Sequence, residues 1–300
     1  MSGGWPRPRV VGEGLDFPEG PVYLGGGAVA AVEMRGQRVT RIDPDGATTT
    51  LGRLGGGPNG AALGADGAIY VANNGGLAAA DDGGYWHAPE PMDGCVQRVA
   101  GGAVSTVAAD LPGDPPHRPN DLCFGPDGRL YVTDSHNWED LRNLRPGRIV
   151  AIGPGGEVEQ VAEMAAMPNG IGFAPDAERM FVAQSLTRKV WAYPWSPAGL
   201  GEPEVVCKLP SGSPDGFCFD AEGNLYVCGS VGHVIHVFAP SGKLLRSIDT
   251  EPGAQPTNCC IGDGQLFVTY SMPGRVVAYD IDAAPLELFA FNLAGVGGGS

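Results

Sequence analysis

Lysine is nearly absent from this chain. Its 300 residues include three, Lys189, Lys208 and Lys243, and 19 basic residues stand against 34 acidic ones for a net charge of −15. Phosphate backbones and anionic bilayers are held by Lys/Arg clusters, and none occurs, so neither a nucleic acid nor a membrane surface is expected as a partner. No apolar run approaches the 18 residues of a membrane helix, and Met1 to Pro8 carries no apolar core of a secretory signal. C-x-x-C is also missing, which leaves zinc-ribbon and thioredoxin-type chemistry without support. The seven cysteines, an odd number at irregular spacing, fall mostly inside apolar strand-like segments. They read as reduced, buried thiols of a cytoplasmic protein. No G-x-S-x-G elbow, H-E-x-x-H helix or Lys-Ser/Thr phosphate loop occurs. Gly55-Gly-Gly-Pro-Asn-Gly60 fits G-x-G-x-x-G but precedes a strand, where it has no dinucleotide to hold.

What the chain has instead is turn-forming residues: 49 glycines and 27 prolines, with no Gly-X-Y period. Dense turns between short strands account for them. A segment then repeats. Pro58-Asn-Gly-Ala-Ala-Leu-Gly-Ala-Asp-Gly-Ala-Ile-Tyr-Val71 returns as Pro119-Asn-Asp-Leu-Cys-Phe-Gly-Pro-Asp-Gly-Arg-Leu-Tyr-Val132, and again from Pro168, Pro214 and Pro256, with a degenerate first copy at Pro18. Each copy is followed by two more alternating segments bounded by turns, such as Gly147-Arg-Ile-Val-Ala-Ile and Gly156-Glu-Val-Glu-Gln-Val-Ala. Four short strands, six times over, predict an all-β fold: a six-bladed β-propeller in one domain, residues 1–294, with a flexible Gly-rich tail at 295–300. At most one helical turn is expected, at 160–167. Two spacings exceed the basic unit, which places long loops at 73–94 and 135–146, both following an aromatic-Val strand and so both on one face. They are candidates for a substrate lid or for ordinary surface elongation.

Aligned on the proline, the next position reads Glu19, Asn59, Asn120, Asn169, Asp215 and Thr257. In a propeller these fall on the innermost strands and form a ring at one depth of the central channel. All six offer oxygen lone pairs, and two are acids. A hard divalent cation requires such a set; Ca²⁺ fits best, with Zn²⁺, Mn²⁺ and Mg²⁺ as alternatives. Without a cation, Glu19 and Asp215 would repel each other and one would take up a proton.

Glu19-Gly-Pro, Arg118-Pro-Asn-Asp121, Asn169-Gly-Ile, Pro214-Asp-Gly-Phe217 and Pro256-Thr-Asn258, in this order on this repeat, resemble the gluconolactonase, regucalcin and luciferin-regenerating-enzyme family of six-bladed propellers. They are more distantly similar to diisopropyl fluorophosphatase. The resemblance runs from about residue 17 to 282. It implies metal ligands at Glu19, Asn169 and Asp215, Asn120 beside the metal, a substrate contact at Arg118, and metal-dependent hydrolysis of a lactone, mainly a sugar lactone. The loops over the pocket match no member, so the substrate does not carry over.

On that reading the catalytic residues are Asp215, as base or water-orienting group, Asn120 and Arg118. Alternation along the strand puts Asp121 on the face opposite Asn120, in support of the site rather than in it. His117 and His136 lie at the mouth as substrate contacts and candidate acids for the leaving alkoxide. Trp86 and Trp138, in the long loops with Tyr85, either stack on substrate or anchor the loops. A small-molecule substrate and a monomer or small homo-oligomer are expected. Two rival readings keep the fold: a phosphotriesterase or other pathway-specific hydrolase or isomerase on the same site, and a non-catalytic binding propeller.

Overall fold

The structure, a computed structural model, describes residues 7–293. The expected tail at 295–300 lies outside them. The described residues form a six-bladed β-propeller in which the first five units each fold as an antiparallel blade of four main strands. Blade one is Pro18–Gly25, Ala28–Glu33, Arg38–Ile42 and Thr48–Arg53. Blade two is Pro58–Leu63, Ile69–Asn73, Cys95–Ala100 and Ala103–Ala108. Blade three is Pro119–Phe124, Leu130–Asp134, Gly147–Ile152 and Val158–Met164. Blade four is Pro168–Phe173, Arg179–Gln184, Lys189–Ser196 and Glu204–Lys208, with a short extra strand at Gly199–Leu200. Blade five is Pro214–Phe219, Leu225–Gly229, Val234–Phe238 and Leu244–Asp249.

Blade six takes only three strands from its own repeat, Pro256–Gly262, Gln265–Tyr270 and Arg275–Asp280. Its fourth is Arg9–Glu13, from the other end of the chain, paired with Arg275–Asp280. This closure removes the open edge that a linear array would leave between first and last blades. The degenerate beginning of the chain carried no repeat signal that would have pointed to it.

Period-2 alternation explains the core. Each middle strand sends alternate side chains into the two neighbouring blade interfaces: Tyr70 and Ala72 pack toward blade three, while Ile69 and Val71 pack toward blade one. Six buried clusters result, one per interface, and a seventh, Phe17, Met34 and Ala78, lies under the long loop of blade two.

The helical turn expected at 160–167 is not formed. Val158–Met164 is the outer strand of blade three, and a bulge opposite Ile149 and Val150 leaves Val161 unpaired, which broke the alternation in sequence. Short 3-10 turns occur instead at Ser185–Thr187 and Ser230–Gly232. Among the described residues no helix is long and apolar enough to cross a membrane.

Candidate metal and substrate site

The prolines that open the six inner strands sit at equivalent register positions, each opposite the last residue of the second strand: Pro119 faces Asp134, Pro168 faces Gln184 and Pro214 faces Gly229. Just past this point every inner strand slips register. A bulge re-aims side chains that strict alternation would send to opposite faces. The ring residue and the one after it are therefore both available to the channel.

The six residues that follow the prolines all lie at the starts of the inner strands. Glu19, Asn59, Asn120, Asn169 and Thr257 are buried and Asp215 is half-buried. The Gly20 N–H donates to the Glu19 carboxylate at 3.0 Å; Thr257 beside Glu19, and Asn169 and Ser230 beside Asp215, favour the charged carboxylates. Burial first, and then the charge of Asp215, push the Glu19 carboxyl well above its ordinary range. Burial likewise pushes Asp215 up to about 7, against the hydrogen bonds it accepts and with the charge of Asp121 adding to the rise.

Asp121 is where strand alternation misled. It does not turn away from Asn120's side of the strand; it reaches across the channel, where Asn258 Nδ2 donates to Asp121 Oδ2 at 3.3 Å. Blades three and six are diametrically opposed, so the pair spans the axis just below the ring. The other four equivalent positions are glycines, and two of them make the room. A Cβ on Gly60 would lie 2.2 Å from Asp121 Oδ1, and one on Gly216 would lie 2.0 Å from Asn258 Cγ. Burial pushes Asp121 up to about 7.

Among the described residues no three His, Cys, Asp or Glu side chains converge as a ready-made metal cluster. What converges is a mixed set of carboxylate, amide and hydroxyl oxygens, and the charges that act on its acids are acidic ones. A hard divalent cation accepts this donor set and supplies the missing positive charge; the residues fit it.

Above the ring, the mouth is organised by Asp134. Its Oδ1 accepts from the N–H of Arg118 at 2.7 Å and of His136 at 3.0 Å; its Oδ2 accepts from Arg148 Nη1 at 2.9 Å and lies 2.9 Å from His117 Nδ1. Burial opposes the charge on Asp134, but His117 and these N–H groups outweigh it and hold the carboxyl below its ordinary range. His136 is 1% exposed and adopts φ +54°, a left-handed conformation that costs a non-glycine residue on the order of 1 kcal/mol. Asn137 N–H donates to His136 Nδ1 at 2.8 Å, so the neutral ring carries its proton on Nε2. Burial, with Arg148 and Arg145 nearby, lowers its pKa and keeps it neutral.

That Nε2 has no partner. Among the described residues few buried polar side-chain atoms lack one, and three fall between residues 118 and 139: Arg118 Nε, His136 Nε2 and Glu139 Oε2. Arg118 also donates through Nη1 to Asn74 O at 3.1 Å, and its Nη2 lies 3.6 Å from Glu139 Oε1. The two long loops meet here. Tyr85 and Trp138 pack edge to face at 5.3 Å, and Tyr85 Oη donates to Glu139 O. Trp86 turns away and packs against the Phe17, Met34 and Ala78 cluster.

Residues 17–284 match the family described as the SMP-30/Gluconolactonase/LRE-like region. The chain belongs to this family. Within the SMP-30/gluconolactonase group it is 28% identical over 234 residues to a gluconolactonase of Zymomonas mobilis, covering 72% of this chain and 61% of that one. It is 28% identical to regucalcin of Xenopus laevis, covering 57% and 60%. The chain thus spans under two thirds of the length of these relatives. A calcium-binding regucalcin of Agrobacterium tumefaciens has the same fold, with a TM-score of 0.75 at 19% identity over 96% of this chain and 98% of that one.

Of the residues singled out from sequence in this SMP-30/gluconolactonase chain, Glu19, Asn169 and Asp215 come together in the channel, with Asn120 buried at the same level. Arg118, His117 and His136 gather around Asp134, and Trp138 joins the loop contact; only Trp86 stands apart, as a loop anchor. Sequence reasoning missed Asp134, Glu139, Ser230 and the bridging role of Asn258. Asp134 carried one usable signal, its position as the last residue of an aromatic-Val strand directly before a long loop.

Proposed function

We propose that this protein is a divalent-metal-dependent lactonase that opens a sugar lactone or a similar small, hydroxylated lactone. The observation that carries the reading is the convergence of Glu19, Asn169 and Asp215 in a buried channel whose acidic charge is left uncompensated. The names borne by the Zymomonas and Xenopus relatives point the same way. Glu19, Asn169 and Asp215, with Asn120 beside them, would hold the cation, Ca²⁺ in the first instance. When bound, such an ion polarises a carbonyl and lowers the pKa of water.

The chain's own residues do the rest. Arg118 Nε and His136 Nε2–H need acceptors and Glu139 Oε2 needs a donor, and a hydroxyl supplies both. A polyhydroxylated ring therefore answers the orphaned atoms better than a uniformly anionic or apolar one. Asn120 orients the carbonyl over the channel. Asp215 takes a proton from the attacking water as its oxygen bonds to the carbonyl carbon. The ring C–O bond then breaks, and the proton passes to the departing ring oxygen, giving the hydroxy acid. His117 is engaged by Asp134 and holds the mouth in shape. The closure of blade six by Arg9–Glu13 supports treating residues 1–294 as one domain, and the seven free cysteines support a reducing, cytoplasmic setting.

The test is hydrolysis of D-glucono-1,5-lactone, followed by acid release, in protein stripped with a chelator and then given Ca²⁺, Zn²⁺ or Mn²⁺. The chelator should abolish turnover and one cation should restore it. Full-rate turnover by the stripped protein would end the metal reading. A panel that includes a phosphotriester separates lactone opening from its nearest rival.

A further inference from the structure

The far halves of the six inner strands enclose a second space that the ring does not use. Its volume is about 410 Å³, and its walls are apolar, with Leu122, Phe124, Phe173, Phe217, Phe219 and Ile261 prominent among them. None of the ring residues Glu19, Asn59, Asn120, Asn169, Asp215 and Thr257 lines it. Its ceiling is the Asp121–Asn258 bridge, so one polar pair divides the metal channel above from the chamber below.

The floor is residues 285–290, part of a strap that crosses the underside of the disc. The strap is tied at its ends. Ala221 N–H donates to Ala284 O at 2.9 Å on blade five. On blade two, Ala65 N–H donates to Phe291 O at 3.3 Å and Leu293 N–H donates to Tyr70 Oη at 2.8 Å. Its middle is held by side chains, such as Phe289 edge-on to Phe173 at 6.2 Å, while Leu288 faces solvent at 71% exposure.

We propose that this chamber is a second binding site, for a neutral molecule of one to three rings that carries a single hydrogen-bond donor. Three observations support it. Close-packed interiors keep few voids larger than a water molecule, and ligand sites run from roughly 300 to 1,000 Å³, so this space has the size of a site and not of a packing flaw. Water needs several polar partners, and apolar cavities take apolar guests instead. The charged side chains that line it, Asp121 and Glu287, are both acidic, and no Lys, Arg or His does, which disfavours a fatty acid or other anion. The one donor on the guest would meet the Asp121 carboxyl at the ceiling, and the strap, whose middle is held by side-chain packing, is the way in.

The test is a fluorescence titration of the full-length protein with N-phenyl-1-naphthylamine, a neutral three-ring amine with one N–H donor, run with chelator and without lactone so that its outcome is independent of turnover. Saturable one-to-one binding is expected. Ala61→Phe, which fills the chamber from blade two, should weaken it at least tenfold and leave lactone hydrolysis unchanged. Ala62→Leu is the milder second variant should Ala61→Phe fold poorly. The anionic analogue 1-anilinonaphthalene-8-sulfonate should bind at least tenfold more weakly than the neutral probe. Absence of saturable binding, unchanged affinity in a folded cavity-filled variant, or equal affinity for the anionic analogue would each overturn the proposal.

Discussion

Single side chains in this molecule are set by neighbours far away in sequence. His136 Nε2 is a buried donor with its tautomer fixed and no acceptor. In His136→Ala, steady-state kinetics with a sugar lactone should show a loss in kcat/KM of about five- to tenfold, the worth of one neutral hydrogen bond, entering mainly through KM. His136→Gln, which keeps a donor, should recover part of it. Asp134 holds Arg118, His136, His117 and Arg148 together from a fully buried position. Removing it leaves Arg148 buried without its counter-charge, and Asp134→Ala should cost about 3 kcal/mol in denaturant melts. Because its folded pKa lies below the ordinary carboxylate value near 4, its stabilisation is complete above that value and fades as pH falls through the folded pKa. Wild type should therefore lose stability below about pH 4 by a margin that Asp134→Ala does not share. Gly216→Ala puts a methyl where Asn258 lies and should displace the Asp121–Asn258 bridge. An unchanged melting temperature in that variant would mean the bridge is dispensable.

At the level of strands, the bulge just past each proline is what converts a repeat into a site. Without it, Asn120 and Asp121 would face opposite ways, as plain alternation predicts; with it, both serve the channel. The closing strand is the second decisive element. Val11 packs in the interface between blades six and one with Val29, Ile42 and Phe267. Deleting residues 1–13 strips this cluster of a wall and leaves Arg275–Asp280 with an unpaired edge. The loss expected in a thermal melt exceeds about 3 kcal/mol, from one buried apolar side chain plus a row of backbone hydrogen bonds. An unchanged melting temperature would show that the ring closes by other means.

Across the whole molecule, six blades meet on one axis, and the axis concentrates side-chain oxygens that no single blade could supply. A cation held there, as proposed, would stabilise the native state by mass action. At a hundredfold excess over its Kd, Ca²⁺ should add about 2.7 kcal/mol over chelated protein. Asp215→Asn should erase most of that gain in a melting-temperature comparison. The chain's pattern alone was enough for the six blades, the polar ring and the common face of the two long loops, because repeat period and alternation are local properties. It could not give the bulge that turns Asp121 inward, the N-terminal strand in blade six, the Asp134 clamp, or the chamber beneath the ring. Each of these depends on which distant segments are brought within a few ångströms of one another, and that is decided only when the ring closes.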